Sequence, residues 1–253
     1  MSRNILLRIA YDGSEFNGYQ VQAQGERTVQ GVLESALAKL HGRRIATVAA
    51  GRTDAGVHAD AQHVNFLTEL DAIPARRFHL AVNRFLPSDL KAQESREVPP
   101  EFHARYSARS RGYRYYLLVS STPIPKHRRF SHRIVDFPSL EALNRDARDI
   151  LGEHDFTTFA AVRREKESNL RRVTEASFSW EAPFVVFSIR ANGFLWKMVR
   201  SLVGTMMERE EVRRRGSPRP SGMGDLIREA HREVAGTTAP PNGLFLTEVS
   251  YDE

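Results

Sequence analysis

The segment at residues 51–59, Gly-Arg-Thr-Asp-Ala-Gly-Val-His-Ala, combines residue types that can perform chemistry at a small site. Asp54 can act as a nucleophile or a base, and Arg52 lies two positions earlier, so both side chains can serve one substrate. Gly51 and Gly56 flank the carboxylate and allow a sharp turn and the close approach of a ligand. The alternative is an Asx turn beside a solvated arginine, and this segment alone does not decide between the two.

Two strands are expected to hold this loop. Residues 45–50 before it are mostly apolar, and residues 63–67 after it alternate between polar and apolar types. Rigid strands that carry a charged, glycine-bounded loop are a common way of presenting catalytic groups. We therefore predict that residues 51–59 form a loop between two strands.

The N-terminal part of the chain predicts the element order β-α-β-β-α-β. Its strands are expected at residues 5–11, 45–50, 63–68 and 90–98. Helical spacing of apolar residues predicts a helix over residues 29–40 that Gly42 ends, and another over residues 78–85 that Pro87 stops.

The rest of the chain repeats this order. Its strands are expected at residues 111–119, 173–180, 185–191 and 244–251, and its helices at residues 140–151, 195–206 and 225–233. We predict an α+β fold of two ferredoxin-like halves, residues 1–104 and 105–253, each with a mostly antiparallel sheet and helices on one face. Two such sheets side by side would leave a broad open face for a large ligand.

The charge pattern favours a nucleic acid as that ligand. The net charge is +6, and only five of the 37 basic residues are lysines. Arginine pairs with phosphate and stacks on bases, although GC-rich codons would give the same bias. Residues 105–114 carry four arginines interleaved with Tyr106 and Tyr113, and residues 126–133 add four more cations. These two clusters are predicted to face a polyanion.

Other classes of site and location are excluded by what the sequence lacks. It has no cysteine, so disulfides, thiolate metal sites and cysteine nucleophiles are ruled out. Its histidines lack helical ligand spacing, and neither a Walker nor a GxGxxG pattern occurs, so we predict no metal and no nucleotide cofactor. No apolar run approaches the ~20 residues that span a bilayer. Residues 1–8 lack a signal-peptide core, so a cytoplasmic protein without membrane contact is expected.

The motifs of this chain resemble those of the TruA-type tRNA pseudouridine synthases over nearly the whole length. The loop at residues 51–59 is similar to the catalytic signature of that family. Further similar motifs follow in the same order at residues 11–22, 83–89, 102–108, 111–115, 193–200 and 243–246. Two positions depart from the family pattern: Tyr19 stands where tryptophan is usual, and Lys197 where histidine is often found.

The resemblance implies an isomerase that converts uridine to pseudouridine at positions 38, 39 and 40 of the tRNA anticodon stem-loop. It also implies that the two halves form one continuous sheet, that the protein is a homodimer, and that it needs no metal or organic cofactor. The reaction breaks the N1–C1′ bond, turns the base and rejoins it through C5. The carboxylate can attack the ribose carbon or the uracil ring, or act as a base on the sugar.

The same resemblance assigns roles to four side chains. Asp54 is the catalytic nucleophile, and Arg200, on a helix of the second half, pairs with it and keeps it ionised. Tyr113 stacks on the target base, and Arg52 enters the RNA stack in place of the flipped base. From the residues alone, Arg200 could instead be an exposed helix residue, Tyr113 a packing tyrosine and Arg52 a surface arginine.

Two other functions compete with this one. A non-catalytic RNA-binding protein could use the same sheet and arginine clusters, but it needs no carboxylate near an anionic ligand. A hydrolase of glycosidic bonds usually needs two carboxylates that flank the bond. Asp12 and Asp60 are the nearest candidates for a second carboxylate beside Asp54, and no sequence pattern ties either of them to the loop.

Overall fold

The computed structural model describes residues 2–23, 25–161, 168–216 and 222–252. The chain forms two compact units. The first unit consists of Met1–Arg109 and Phe245–Glu253, and the second of Ser110–Leu244.

The described residues form ten strands and five α-helices, in the mixed α+β arrangement that the sequence predicts. The strands are β1 (Arg3–Tyr11), β2 (Val48–Ala49), β3 (His58–Thr68), β4 (Leu90–Val98), β5 (Ala108–Val119), β6 (His132–Ile134), β7 (Gly152–Asp155), β8 (Leu170–Glu181), β9 (Phe184–Ala191) and β10 (Leu244–Tyr251). The helices are α1 (Val29–His41), α2 (Phe78–Asn83), α3 (Leu140–Asp149), α4 (Met198–Arg214) and α5 (Met223–Glu229). Within the part of the chain that the structure describes, no helix is both long and apolar enough to cross a bilayer.

The strands of the first unit pair in the order β4-β1-β3-β10. β1 is antiparallel to both neighbours, and Arg8 lies opposite His63 on one side and Glu94 on the other. β10 runs parallel to β3, with Phe245 opposite His58. The short β2 pairs with β3 on the same sheet. The pairing is therefore mostly antiparallel, as predicted.

The core of the first unit follows from the two periodicities in the sequence. Ile5, Leu7 and Ile9 alternate along β1 and are fully buried, as are Leu33 and Leu37 on one face of α1. α1 begins where the Thr28 hydroxyl accepts a hydrogen bond from the Gly31 N–H at 3.2 Å. It ends, as predicted, at Gly42, which adopts a left-handed φ of 69°.

The strands around the predicted reactive loop differ in length from the prediction. β2 comprises only Val48–Ala49, and β3 begins at His58 instead of residue 63. His58 and Ala59 are thus strand residues, and the loop ends at Val57. The early start of β3 was missed because His-Ala-Asp-Ala-Gln at residues 58–62 lacks the β-branched and aromatic types that mark a strand. Backbone pairing with β1 extends the strand in spite of this.

The strands of the second unit pair antiparallel in the order β5-β9-β8-β7, with β6 parallel to β5. Tyr113 on β5 lies opposite Ile189 on the central strand β9. Helix α3 is tied to β8 by Asn144, whose side chain donates to the carbonyl of Phe178 at 2.9 Å and accepts from its N–H at 2.8 Å. On α4, Leu202, Val203 and Met206 are fully buried.

The last strand, β10, belongs to the first unit and not to the second half in which the sequence pattern placed it. We expected residues 244–251 to complete the second half, but Phe245–Glu253 belong to the first unit, where β10 pairs with β3. Periodicity identifies a strand without specifying its partner, so this long-range pairing was not readable from the sequence. The described second unit also contains β6 and β7, which were not predicted. The division into halves at residue 104 stays a prediction.

His63 on β3 makes the stability of the first unit depend on pH. Burial, together with the nearby charges of Arg8 and Arg96, lowers the pKa of His63 from 6.5 to about 4. The unfolded chain therefore takes up a proton near pH 6.5 that the folded chain excludes until about pH 4. The stability associated with neutral His63 is complete above pH 6.5 and is lost as the pH falls toward 4.

We expect the shifted pKa of His63 to lower the free energy of unfolding by about 2–3 kcal/mol as the pH falls from 6.5 to 4. His63→Gln removes the titrating ring, so the stability difference between wild type and variant should depend on pH only in that window. Urea unfolding at a series of pH values measures it, with His231→Gln at an exposed position as the control. A difference that does not vary with pH would contradict the assignment.

Candidate active site

The reactive loop, which comprises residues 50–57 and contains Asp54, leads from β2 into β3 in the first unit. Asp54 is half-buried there, and Arg52 is exposed. The Val57 N–H donates to the carbonyl of Asp54 at 3.1 Å and closes a tight turn. Asp54 is therefore the first residue of a hydrogen-bonded turn, and part of its surface is accessible to solvent.

The N-terminal motif at residues 11–22 fixes the backbone of this loop. The Tyr19 N–H donates to the carbonyl of Thr53 at 3.0 Å, and the Gly56 N–H donates to the carbonyl of Phe16 at 3.3 Å. These bonds hold the chain on both sides of Asp54. A reactive group whose neighbouring peptides are fixed meets its substrate with little loss of conformational freedom.

Two glycines let the N-terminal motif approach this closely. A Cβ atom on Gly13 would lie 2.1 Å from the carbonyl oxygen of Val57. Gly18 adopts a φ of 85°, and a Cβ atom there would lie 3.0 Å from the carbonyl oxygen of Thr53. Any other residue at Gly13 would push the motif away from the loop.

The two glycines of the loop itself are not equivalent. Gly56 adopts a φ of 77°, as the predicted sharp turn requires. Gly51 does not adopt a positive φ, and the space that its Cβ atom would occupy is open. The turning role predicted for the pair is thus found at Gly56 alone.

A buried hydrogen bond joins the first strand to the residue before Asp54. The hydroxyl groups of Tyr11 and Thr53 lie 2.7 Å apart, and both residues are buried. Burial raises the pKa of Tyr11 to about 12, and the hydrogen bond to Thr53 opposes that rise. The phenol is therefore protonated at neutral pH and acts as a hydrogen-bonding anchor of the loop.

Tyr11→Phe is expected to lower the free energy of unfolding by about 1–2 kcal/mol, because it removes the partner of the buried Thr53 hydroxyl. It should also lower kcat with little change in KM, since it loosens the loop and leaves the exposed cations in place. Tyr19→Phe is the matched control, because the buried Tyr19 hydroxyl lies near Thr47 and makes no hydrogen bond to the loop of Asp54. Equal stability of the two variants in urea would exclude this anchoring role.

His58 links the motif, the loop and β10. It is fully buried, its Nδ1 accepts a hydrogen bond from the Gly13 N–H at 3.0 Å, and its ring stacks on Phe245 at 4.5 Å. Because the Nδ1 lone pair is engaged by Gly13, the ring carries its proton on Nε2. An oxygen of the Asp12 carboxylate lies 3.3 Å from the same Nδ1 atom.

The carboxylates of the competing hydrolase do not form a pair of equivalent acids around the loop. Asp12 accepts a hydrogen bond from the Ser14 N–H at 2.9 Å and caps the short turn at residues 13–15. Asp60 is an exposed residue of β3. Asp12 is half-buried like Asp54, but its carboxylate is engaged in capping the turn at residues 13–15, outside the loop of Asp54.

Tyr113 lies on β5 in the second unit and keeps 9% of its surface exposed. Its ring meets that of Phe194 edge to face, with the centroids 5.1 Å apart. Tyr115, two positions later on β5, is fully buried, and its hydroxyl donates to the carbonyl of Pro240 at 2.8 Å. Of these two tyrosines, Tyr113 is the one that keeps any exposed surface.

Arg200 lies in the first turn of α4 and is half-buried. Its Nε donates to the carbonyl of Ala239 at 2.7 Å, and its own carbonyl accepts from the Ala239 N–H at 3.1 Å. The charge of Arg200 also acts on the phenol of Tyr115, where it opposes the rise in pKa that burial causes. The guanidinium group is therefore held in place, and the exposed helix residue considered above is excluded.

The predicted residues fall into two groups. Arg52 and Asp54 share the loop of the first unit, and Tyr113 and Arg200 belong to the second unit. Their action on one substrate stays a prediction. In the described ranges, no cluster of three or more histidines, cysteines and acids could hold a metal ion.

Sequence reasoning missed the residues that support the loop. Tyr11, Gly13 and His58 lie in quoted motifs, yet nothing in their spacing shows that they meet residues 53–57. A useful signal was present in Tyr-Asp-Gly at residues 11–13, because a glycine directly after a strand marks a point of close backbone approach.

Comparison with known proteins places these features in a family. The model of a family described as tRNA pseudouridine synthase matches residues 8–107 and 147–252. The tRNA pseudouridine synthase A of Treponema denticola is 42% identical over 255 aligned positions, covering 99% of this chain and 94% of that protein. The protein of that name from Bacillus subtilis is 38% identical over 246 positions, covering 96% and 97%. The matched residues include Arg52, Asp54 and Arg200, and Tyr113 lies between the two matched stretches.

Proposed function

The chain belongs to the tRNA pseudouridine synthase family and is an isomerase that acts on uridine in tRNA, and we propose that its targets are positions 38, 39 and 40 of the anticodon stem-loop. The relatives that bear this name match the chain along nearly its full length. The exposed cations of the chain and its net charge of +6 suit an RNA stem.

Asp54 is the proposed nucleophile. The observation that carries this role is the fastening of its loop on both sides by residues 11–22, which holds one half-buried carboxylate in a fixed turn. Attack on the ribose carbon and attack on the uracil ring both need an ionised carboxylate close to the reacting atom. The N1–C1′ bond breaks, the base turns, C5 bonds to C1′, C5 loses its proton and N1 gains one. The bond that the carboxylate formed breaks again, when C5 displaces it from C1′ or when it leaves the uracil ring, so Asp54 is regenerated as a carboxylate.

Tyr113 is proposed to stack on the flipped base, and Arg52 to occupy the position that this base leaves in the RNA. Removing a uridine from a helical stack costs a few kcal/mol. Stacking on an aromatic ring returns about 1–3 kcal/mol per base, so Tyr113 can offset much of that cost. The exposed side chain of Arg52, two residues from Asp54, would fill the gap that the base leaves in the RNA.

Arg200 is proposed to supply the positive charge that keeps Asp54 ionised during the reaction. A cation beside a carboxylate stabilises the charged form, which is the form that attacks. The bond from Arg200 Nε to the carbonyl of Ala239 supports this role, because it fixes the guanidinium at a defined place within its own unit.

The assembly and location proposed for this protein follow its family resemblance. We propose a homodimer that works in the cytoplasm without a metal or organic cofactor. Of the competing functions, the hydrolase receives no support from Asp12 or Asp60, which cap a turn and lie in solvent, respectively.

The target positions are tested with the purified full-length protein and an unmodified tRNA transcript that carries uridine at positions 38, 39 and 40. Pseudouridine is mapped at single-nucleotide resolution before and after incubation. We expect conversion at these positions and at no other uridine of the transcript. Conversion confined to another arm of the tRNA would overturn the assignment.

A further inference from the structure

One face of the sheet in the first unit carries three basic side chains next to one another. Arg8 on β1 lies opposite His63 on β3 and Glu94 on β4, and Arg96 lies opposite Leu6 one row away. Paired residues, and residues two apart on a strand, project from the same face of a sheet. Arg8, His63 and Arg96 therefore share one face, and we refer to them as the cationic cluster.

The chain covers this face up to the edge of the cationic cluster. The side-chain amide of Asn4 donates to the carbonyls of Pro99 and Phe102 at 3.1 and 2.9 Å, so residues 99–104 lie over that end of β1. Leu6 is buried within a small core on this side. The cationic cluster lies beside residues 99–104 on the same face of the sheet, beyond the part of β1 that these residues cover.

The cationic cluster has hydrogen-bonding capacity and charge that its surroundings do not satisfy. Arg8 Nε and His63 Nδ1 are buried atoms without a hydrogen-bond partner. The facing groups are Glu94, whose carboxylate lies 3.0 Å from Arg8 and is 67% exposed, and the neutral ring of Tyr251, 5.4 Å from that of His63. Burial is the main cause that lowers the pKa of His63, and the charges of Arg8 and Arg96 lower it further. Buried polar atoms without partners are costly, and a phosphate would accept a hydrogen bond from Arg8 Nε, and from His63 Nδ1 when that nitrogen carries a proton.

We propose that the cationic cluster binds a phosphate group of the tRNA backbone, outside the loop of Asp54. Phosphate oxygens can accept hydrogen bonds from Arg8 and His63 and pair with the exposed Arg96. Such contacts carry no sequence information, and they fix the register of an RNA on a protein. The inference rests on the proposed function, because it takes RNA as the ligand.

The protonation state of His63 tests the site directly. The Cε1–H resonance of His63, assigned with His63→Gln, is followed by NMR between pH 8 and 5. Spectra are recorded for the protein alone, with unmodified tRNA and with inorganic phosphate. Because a bound phosphate favours the charged imidazole, the pKa of His63 should rise from about 4 toward 6.5 with tRNA and much less with inorganic phosphate. An unchanged pKa in the tRNA complex overturns the site. A full effect of inorganic phosphate at millimolar concentration would instead identify the free ion as the ligand.

The salt dependence of tRNA binding gives a second readout. Arg96→Gln should weaken binding about fivefold and reduce the slope of log K against log salt by about one, the value for one lost phosphate contact. Glu94→Gln removes the facing negative charge and should strengthen binding. Arg43→Gln, at an exposed arginine paired with Glu69 at 3.2 Å, is the matched control and should change neither quantity.

These outcomes separate the site from the proposed function. Pseudouridine formation on the same tRNA with an unchanged slope for Arg96→Gln overturns the site alone. If the pKa of His63 rises with tRNA and Arg96→Gln reduces the salt slope, but no pseudouridine forms at positions 38–40, the proposed target positions are overturned and the phosphate site is supported.

Discussion

Asp54→Asn is expected to abolish pseudouridine formation while tRNA binding persists. The amide keeps the size of the side chain and the turn that the Val57 N–H closes, but it cannot act as a nucleophile or a base. Loss of a single essential group lowers kcat by about 10⁴-fold in well-studied enzymes, and we expect a loss of at least that order. The arginines that attract RNA are untouched by the change. Single-turnover assays and filter binding measure the two effects separately.

Asp60→Asn is the control for Asp54→Asn. Asp60 is exposed on β3, six positions after Asp54, so this change removes the same charge from the neighbouring strand. Activity should stay near that of the wild type. If Asp54→Asn kept a tenth of the activity, or if Asp60→Asn were equally damaging, Asp54 would not be the nucleophile.

Gly13→Ala is expected to have the largest effect on stability and to remove most of the activity. Its Cβ atom would lie 2.1 Å from the carbonyl oxygen of Val57, a distance that forces the backbone of the motif or of the loop to move. We expect the free energy of unfolding to fall by more than about 3 kcal/mol, the range of strongly overpacked or strained sites. Denaturant unfolding measures this loss.

Gly51→Ala provides the matched control in the reactive loop itself. The φ of Gly51 is not positive, and the space that its Cβ atom would occupy is open, so alanine fits without displacing an atom. Stability should change by less than about 0.5 kcal/mol, as at other unconstrained sites. Equal losses in Gly13→Ala and Gly51→Ala would show that close packing of the motif on the loop does not support Asp54.

The elements with strong local patterns were predicted well. α1 ends at Gly42, because apolar spacing and a left-handed glycine act within a few residues. β4 spans Leu90–Val98 as predicted, although its apolar pattern is weaker. The same reasoning failed at β2, where an apolar run of six residues forms a strand of only two. The local sequence pattern identifies apolar residues. The length of a strand depends instead on how many residues of the neighbouring strand pair with it.

Buried charge was the least predictable feature of the second unit. A run of three arginines after two glutamates, as at residues 210–215, is typical of a solvated helix face, but Arg213 and the buried Arg209 both bind the buried carboxylate of Asp146. Asp146 lies on α3, more than sixty residues away in sequence. Charged side chains are buried only with such partners, and no local rule identifies a partner at that distance.

At the candidate site, the turn of the loop that contains Asp54 could be predicted from the sequence, and the residues that support this loop could not. The acid between two glycines is a local pattern, and Gly56 turns the chain as expected. The contacts of Tyr11 and Gly13 with Thr53 and Val57 join positions more than forty residues apart. Spacing rules describe one element at a time, so contacts between elements become visible only in the folded chain.

The central claim is that Asp54 performs the isomerisation of anticodon-arm uridines, and a pseudouridine map of cellular tRNA tests it most directly. The map compares cells that lack this gene with the same cells supplied with wild-type protein or with Asp54→Asn. We predict that pseudouridine at positions 38, 39 and 40 disappears with the gene, returns with the wild type and stays absent with Asp54→Asn, while other pseudouridines persist. Unchanged positions in the gene-deficient cells, or their recovery with Asp54→Asn, would contradict it.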